Sequence, residues 1–489
     1  MNIMSNFVVQ FPLKTEKYQE DILEKRFKIG RYIYNSLVTI TQNRYKEMIK
    51  TKRYRNLIDQ LTGDKTKDKP IWKEIGLMRK EYDLTEYSFH KDAKPLQNHF
   101  SKNIDAFTAQ KIATTLWKAY DKLFYGNGEA VHYKRYDEMT SLEGKSNKTG
   151  IRFKDDTLVW KGLIIPVDID YDNPYEYQAL QSEIAYCRIV RKYIRNRYKY
   201  YLQIVFKGIP PKKIDKSTGE IKHSIGKGDV GIDIGTSTIA YASSNEVKIL
   251  ELDDKVQDIE NQKRILLRKL DRSRRNMNPD NFNDDGTIKK QGNKKVKWNY
   301  SNHYKKNKKQ LKELYRKQAD IRKYQHECLA NHIVSLGDTI YVEKMSFSGL
   351  AKRAKKTEIN DKGKYKRKKR YGKTIANRAP AMLLEIINRK LSYEDKTLIE
   401  IDTWAAKASQ FNHADKTYTK KKLSQRWNYI NGNKIQRDMY SAFLIMNIND
   451  DLQSFNIEKC NDRFDNFLEL HNNEVQKLLK HKNLKSIGI

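Results

Sequence analysis

Two short apolar segments each carry a carboxylate near the middle, and this placement restricts the fold more than any other feature of the chain. In Val230-Gly231-Ile232-Asp233-Ile234-Gly235 the residues alternate as in a strand, which puts Asp233 on the face opposite Ile232 and Ile234. Ile340-Tyr341-Val342-Glu343-Lys344-Met345 repeats the arrangement with a glutamate. An unpaired carboxylate in a core strand is costly unless its pKa rises until it is neutral, so each of these asks for a compensating cation. A third acid, Asp438, opens the apolar helical stretch Met439, Ala442, Phe443, Ile445 and Met446. Any one of the three alone reads as an N-cap, a strand-end acid or an ordinary ion pair. Together, converging from two strands and a helix start, they form an oxygen donor set suited to Mg²⁺, with Mn²⁺ as a substitute. Two such ions roughly 3.5 to 4 Å apart would activate water and neutralise the leaving oxygen of a phosphodiester.

The charge balance points the same way. Among 489 residues, 97 Lys and Arg stand against 61 Asp and Glu, a formal net charge of +36. Such an excess repels itself unless a polyanion is the normal partner. With 38% hydrophobic residues the chain has too much core for a basic tail, and no run reaches the roughly 18 apolar residues of a bilayer span. The N-terminal residues reach charge before a signal-like apolar stretch develops, so the expected location is the cytoplasm or nucleoid of a prokaryotic cell, with no membrane partner. The three cysteines, Cys187, Cys328 and Cys460, are far apart and read as core thiols. Tyrosines interleave with cations around Arg195 and Arg197, where rings suit either half-buried strands or stacking on unpaired bases. None of the ten histidines has ligand spacing, and neither a P-loop nor a nucleophile elbow is present.

Periodicity divides the chain into a multidomain α+β and α/β protein. Strand-like residues 7–11 precede a stretch with helical spacing, including Ile22, Phe27, Ile33 and Leu37, and then Ile104, Phe107, Ile112 and Leu116. Period-two segments follow between 151 and 208, with a hairpin expected over 186–206. Pro210-Pro211 and the polar residues after them read as a linker over 209–229. Beyond it, strands 230–234, 239–243, 339–345 and 398–401 are separated by helices over about 254–275, 302–335 and 380–391, as in an α/β sheet with parallel strands.

GIDIGTSTIAYAS, TIYVEKMSFSGL and IQRDMYSAF, in that order, resemble the three RuvC motifs of the TnpB family of transposon-encoded nucleases, relatives of the compact type V CRISPR effectors. The similarity continues through WNYSNHYKKNKKQLKEL and Ser409-Gln410 and covers most of residues 230–450. It implies a β-barrel wedge domain of residues 1–15 and 126–208, interrupted by a helical recognition lobe of residues 16–125. It further implies a ribonuclease H-like RuvC domain over 230–489 with a helical insertion over about 254–335. On this resemblance Asp233, Glu343 and Asp438 bind two Mg²⁺ ions in an RNA-guided DNA endonuclease whose partners are a guide RNA and double-stranded target DNA. Base pairing would select the sequence while protein reads a short flanking motif.

Two departures from the family pattern stand out. The stretch between the second and third motifs, about 404–437, has no cysteine where most members carry a four-cysteine zinc ribbon, so no zinc is expected. Asn431-Gly432, flanked by Trp427, Tyr429 and Ile435, predicts an aromatic-stapled hairpin in its place. Tyr440 stands where the third motif usually has an Asn. The basic run 351–373, with Lys352, Arg353, Lys366, Arg367, Lys368, Lys369 and Arg370, reads either as a solvated charge run or as a nucleic-acid contact, and Lys289 to Lys297 is similar. The alternatives are an RNA-guided DNA-binding protein that does not cut and an unguided RuvC-like structure-selective nuclease. More distant is an actin-like ATPase or kinase, whose first phosphate turn GIDIGTST also resembles but whose second phosphate loop is missing.

Overall fold

Alternating strands and amphipathic helices form two compact units, residues 1–214 and 215–489, divided within the polar stretch that follows Pro210-Pro211. The computed structural model describes residues 6–480 except 65, 127, 196, 290–295, 353–358, 360–362, 364, 366–370 and 423–424. It is a mixed α+β, multidomain protein.

In the first unit, strand β1 (Asn6–Pro12) leads into helices α1 (Lys17–Lys50), α2 (Lys52–Asp59), α3 (Lys69–Glu81), α4 (Glu86–His99) and α5 (Ala106–Phe124). Strands β2 (Ser141–Glu143), β3 (Arg152–Lys154), β4 (Thr157–Trp160) and β5 (Leu163–Pro166), helix α6 (Pro174–Leu180), and the long hairpin β6 (Ile184–Ile194) and β7 (Arg197–Lys207) follow. The strands form an antiparallel sheet of order β1-β7-β6-β2 and a three-stranded meander β3-β4-β5. A bridge between Leu13 and Val167 joins the two. Leu23, Phe27, Ile33 and Leu37 of α1 share one continuous core with Phe11, Leu202 and Ile204 of the sheet and Ile112 and Leu116 of α5. Helices and sheet are therefore stabilised by the same buried surface.

The second unit is built on a five-stranded sheet of order β10-β9-β8-β11-β12, comprising β8 (Asp229–Ile234), β9 (Thr238–Ser243), β10 (Val247–Glu251), β11 (Thr339–Glu343) and β12 (Ile399–Ile401). The first three strands are an antiparallel meander, and β11 and β12 add parallel to β8. Helices α7 (Gln257–Met277) and α8 (Asn302–Leu336) pack on each other between β10 and β11, and α9 (Phe347–Ala351), α10 (Gly372–Arg378) and α11 (Pro380–Ser392) lie between β11 and β12. After β12 come α12 (Thr403–Ala406), the hairpins β13 (Phe411–Asn412) with β14 (Thr417–Tyr418) and β15 (Trp427–Ile430) with β16 (Asn433–Gln436), and helices α13 (Arg437–Met446) and α14 (Ile457–Leu479). Each face of the sheet carries its own core. Val230, Ile232 and Ile234 pack with Ile333 of α8 and Leu383 and Ile387 of α11, whereas Ala240 and Ala242 face Tyr440 and Phe443 of α13 and Phe464 and Phe467 of α14.

Candidate catalytic carboxylate site

The site lies on the α13 face of this sheet, and small side chains create room for it. Gly231 and Asp233 share that face, and their partners across the ladder are Ala242 and Ala240. Helix α13 lies so close to the strand that a Cβ on Gly231 would collide with the Ala442 carbonyl and the Met446 backbone nitrogen. Glycine therefore sets the height of the helix above the strand.

The start of α13 is fixed by two side chains. Gln436 accepts the Met439 N–H at 2.8 Å as the N-cap and donates its own backbone N–H to Nε2 of the buried His471 on α14 at 3.0 Å. Asp438 therefore stands in the first turn, where the helix dipole favours an anion. Glu343 ends β11, and because Val342 is in register with Ile232, it comes beside Asp233 on the neighbouring parallel strand.

Asp233 feels both of the other carboxylates. Burial, then Asp438, then Glu343 push the Asp233 pKa well above the ordinary carboxylate range, against the Arg437 guanidinium and the Ser441 hydroxyl, which favour its charge. Burial alone raises Glu343 to about 7. Asp438 is compensated differently. Its Oδ1 accepts from Arg437 Nη2 at 2.9 Å, and its Oδ2 faces Arg426 Nη1 at 3.3 Å.

Among the described residues no group of three or more His, Cys, Asp or Glu side chains is disposed, as it stands, to hold a metal ion. Arginine supplies the positive charge at Asp438, while Asp233 and Glu343 have no ion pair among the described residues. The donor set still fits a hard divalent ion in its chemistry, since it is all oxygen, and burial makes the ionised forms of Asp233 and Glu343 costly without a nearby positive charge.

Sequence reasoning singled out the three acids but not Arg426, Arg437, Ser441, Gln436 or His471. Ser441 was accessible from helical spacing, because it lies three residues after Asp438 and so on the same side of α13. The same geometry places Tyr440, two residues on, away from the acids. Its hydroxyl accepts the His413 N–H at 3.1 Å and stands 2.6 Å from His413 Nδ1 in the core. Of the basic run, Lys352 is exposed just after α9, while Arg353, Lys366, Arg367, Lys368, Lys369 and Arg370 lie outside the described residues. In the cysteine-free segment Asn431 and Gly432 both have positive φ and close the β15–β16 hairpin. Its anchor is aliphatic, contrary to the expected aromatic staple. Ile430 and Ile435 are buried, Tyr429 is 71% exposed, and Trp427 lies under the Lys434 ammonium at 4.6 Å. Strand alternation turns the isoleucines inward and the rings outward.

No protein-family model matches the chain, and no curated protein matches it. Among solved structures it is similar to the protein of a Cas12f1–sgRNA–target DNA complex, with 11% identity, 91% of this chain and 99% of that chain covered, and a TM-score of 0.41. It is also similar to the protein of a CRISPR-Cas12f ternary complex, with 15% identity, 88% and 82% covered, and a TM-score of 0.26.

Proposed function

We propose that this chain is a divalent-metal-dependent DNA endonuclease, with Asp233, Glu343 and Asp438 as its metal ligands and a bound RNA selecting the target. The observation that carries the proposal is the convergence on buried Asp233 of Glu343 from the neighbouring parallel strand and Asp438 from a helix start, on a chain of net charge +36. The five-strand order, three antiparallel strands followed by two parallel ones, supports a ribonuclease H-like reading of this unit. The resemblance of the three ordered motifs to TnpB proteins supports RNA guidance, a single RuvC-type site and a flanking DNA motif.

Asp233 and Glu343, together with Asp438, would hold Mg²⁺, which would supply the positive charge needed to activate water and offset the leaving oxygen. The chain's own contribution is positional. Gly231 lets α13 approach, Gln436 and His471 fix its first turn, and Arg437 and Ser441 favour the ionised form of Asp233. Arg426 and Arg437 keep Asp438 paired while no cation is there.

Asp233→Asn, Glu343→Gln and Asp438→Asn should each lower cleavage by at least about 100-fold while nucleic-acid affinity stays within about twofold. Cleavage of guide-matched plasmid and filter binding, with RNA copurified from cells carrying the native locus, measure the two quantities. Full activity in any variant overturns the site. The arginine pairing of Asp438 favours a second reading, a guided DNA-binding protein without cleavage. Stoichiometric RNA and tight matched-DNA binding with no Mg²⁺- or Mn²⁺-dependent cutting would establish that reading instead.

A further inference from the structure

We propose that a groove between α7, α8 and α10, separate from the carboxylates, binds a single strand of nucleic acid. The groove encloses about 850 Å³. Its lining carries five cations, Lys263, Arg264, Arg268, Arg272 and Lys373, against two acids, Glu260 and Asp271, and Asp271 is already paired with Arg274 and Arg275 at 2.8 and 2.9 Å.

Arg264, Arg268 and Arg272 recur every four residues along one side of α7, a rise of about 6 Å per step, comparable with the separation of successive phosphates on one strand. All three are exposed, and none has an ion pair or side-chain hydrogen bond among the described residues. Among the described residues, most surface arginines of this unit are engaged with carboxylates, as Arg316 is with Glu313 and Asp320. An unpaired row is therefore a row of free donors for phosphate oxygens.

The far wall is fixed in place. Arg322 of α8 donates to the Ala376 carbonyl of α10 at 2.8 Å, and the buried Arg378 bonds the Asp253 carbonyl and Glu251. This holds Lys373 close enough to the buried Lys263 for the two charges to repel. Lys263 itself donates to Gln318 at 2.5 Å and lies over the Tyr315 ring at 4.2 Å. An anion between Lys263 and Lys373 relieves that repulsion.

Between the cations the groove is apolar. Leu267 and Tyr315 line it while 47% and 48% exposed, which leaves an aliphatic patch and about half of the tyrosine open to solvent beside Lys263. A duplex hides its bases and offers only backbone, whereas a single strand presents both phosphates and flat faces that pack on such a surface. Cations along one edge and an apolar floor beside them therefore fit a single strand. The inference rests on the nucleic-acid reading above for the class of partner, and cutting is not required for it.

The test uses the full chain freed of nucleic acid and fluorescent single strands of about 12 nucleotides, one RNA and one DNA, titrated across a KCl series. The triple variant Arg264→Gln/Arg268→Gln/Arg272→Gln should reduce the log–log salt slope for at least one strand by about 2, the value for three lost contacts. The control Lys459→Gln/Lys477→Gln/Lys480→Gln, on α14 and at its end, should leave it unchanged. Whichever strand shows the loss is the occupant. A slope equal to that of the control for both strands overturns the proposal. In addition, Leu267→Ala/Tyr315→Ala should weaken single-strand binding and spare a duplex of the same length, and equal weakening of both overturns the choice of a single strand. Cross-links from thio-substituted strands, mapped by mass spectrometry, should fall on residues 260–272 or Tyr315, and their absence there counts against the groove. All three readouts are binding measurements, so they stand or fall independently of whether Asp233→Asn abolishes cleavage.

Discussion

At the scale of single residues, the ionised forms of two buried acids, Asp233 and Glu343, work against the stability of the fold. Glu343, raised to about 7 by burial, stabilises the folded state fully only below its ordinary value of about 4.3 and loses that contribution as pH rises through 7. Asp233 is raised for the same reason and by its acidic neighbours, so its contribution has the same sign. Glu343→Gln should therefore melt higher than the parent at pH 8 in EDTA, by a margin of order 1 kcal/mol, and the difference should vanish near pH 4. Adding Mg²⁺ should raise the parent's melting temperature and not the variant's, and apparent affinity for the ion should rise between about pH 6 and 8 as protons leave. Thermal unfolding across pH with and without the ion checks both; a variant less stable at pH 8 contradicts the assignment. Tyr440→Phe removes the two hydrogen bonds to His413, so it should cost about 1 to 2 kcal/mol in denaturant unfolding and leave ion binding unchanged. The acids were legible because a charge in an apolar strand violates the local pattern. Arg426 was not, because it lies 12 residues from Asp438 in sequence and meets it only when the β15–β16 hairpin folds back.

At the scale of elements, the decisive contact is α13 on β8. Gly231→Ala forces a methyl group into the helix backbone, which has no side chain that can move aside, so it should cost about 3 kcal/mol or more and displace Asp438. Chemical denaturation should show the loss, and Gly231→Ala should lose cleavage where a surface change of equal size does not. Strands β8, β9 and β11 and helices α7, α8 and α11 follow the periodicity of the sequence to within a few residues. Helix α14 was missed, although Cys460, Phe464, Phe467 and His471 recur at helical spacing and are buried. Its polar majority concealed a narrow apolar stripe that matters because it covers α13. Strand β10 was missed for the opposite reason: five residues after a turn carry too short a pattern to distinguish from loop.

At the scale of the molecule, the core of residues 1–214 contains, among the described residues, none beyond Phe206, and both cores of the second unit lie between Ile225 and Leu478. Residues 1–214 expressed alone should therefore unfold cooperatively in urea, and a broad, non-cooperative loss of circular dichroism would show that the second unit is needed. This shared core was hidden from the sequence, where the change from helical to strand periodicity near residue 126 reads as a boundary although helices and strands bury the same surface. The segment between β12 and α13 extends the reach of this architecture. Held by Ile430, Ile435 and the pairing of Tyr440 with His413, and without a cysteine anywhere in 404–437, it offers no thiolate for disulfide exchange, so a thiol-specific reagent should leave this segment unlabelled.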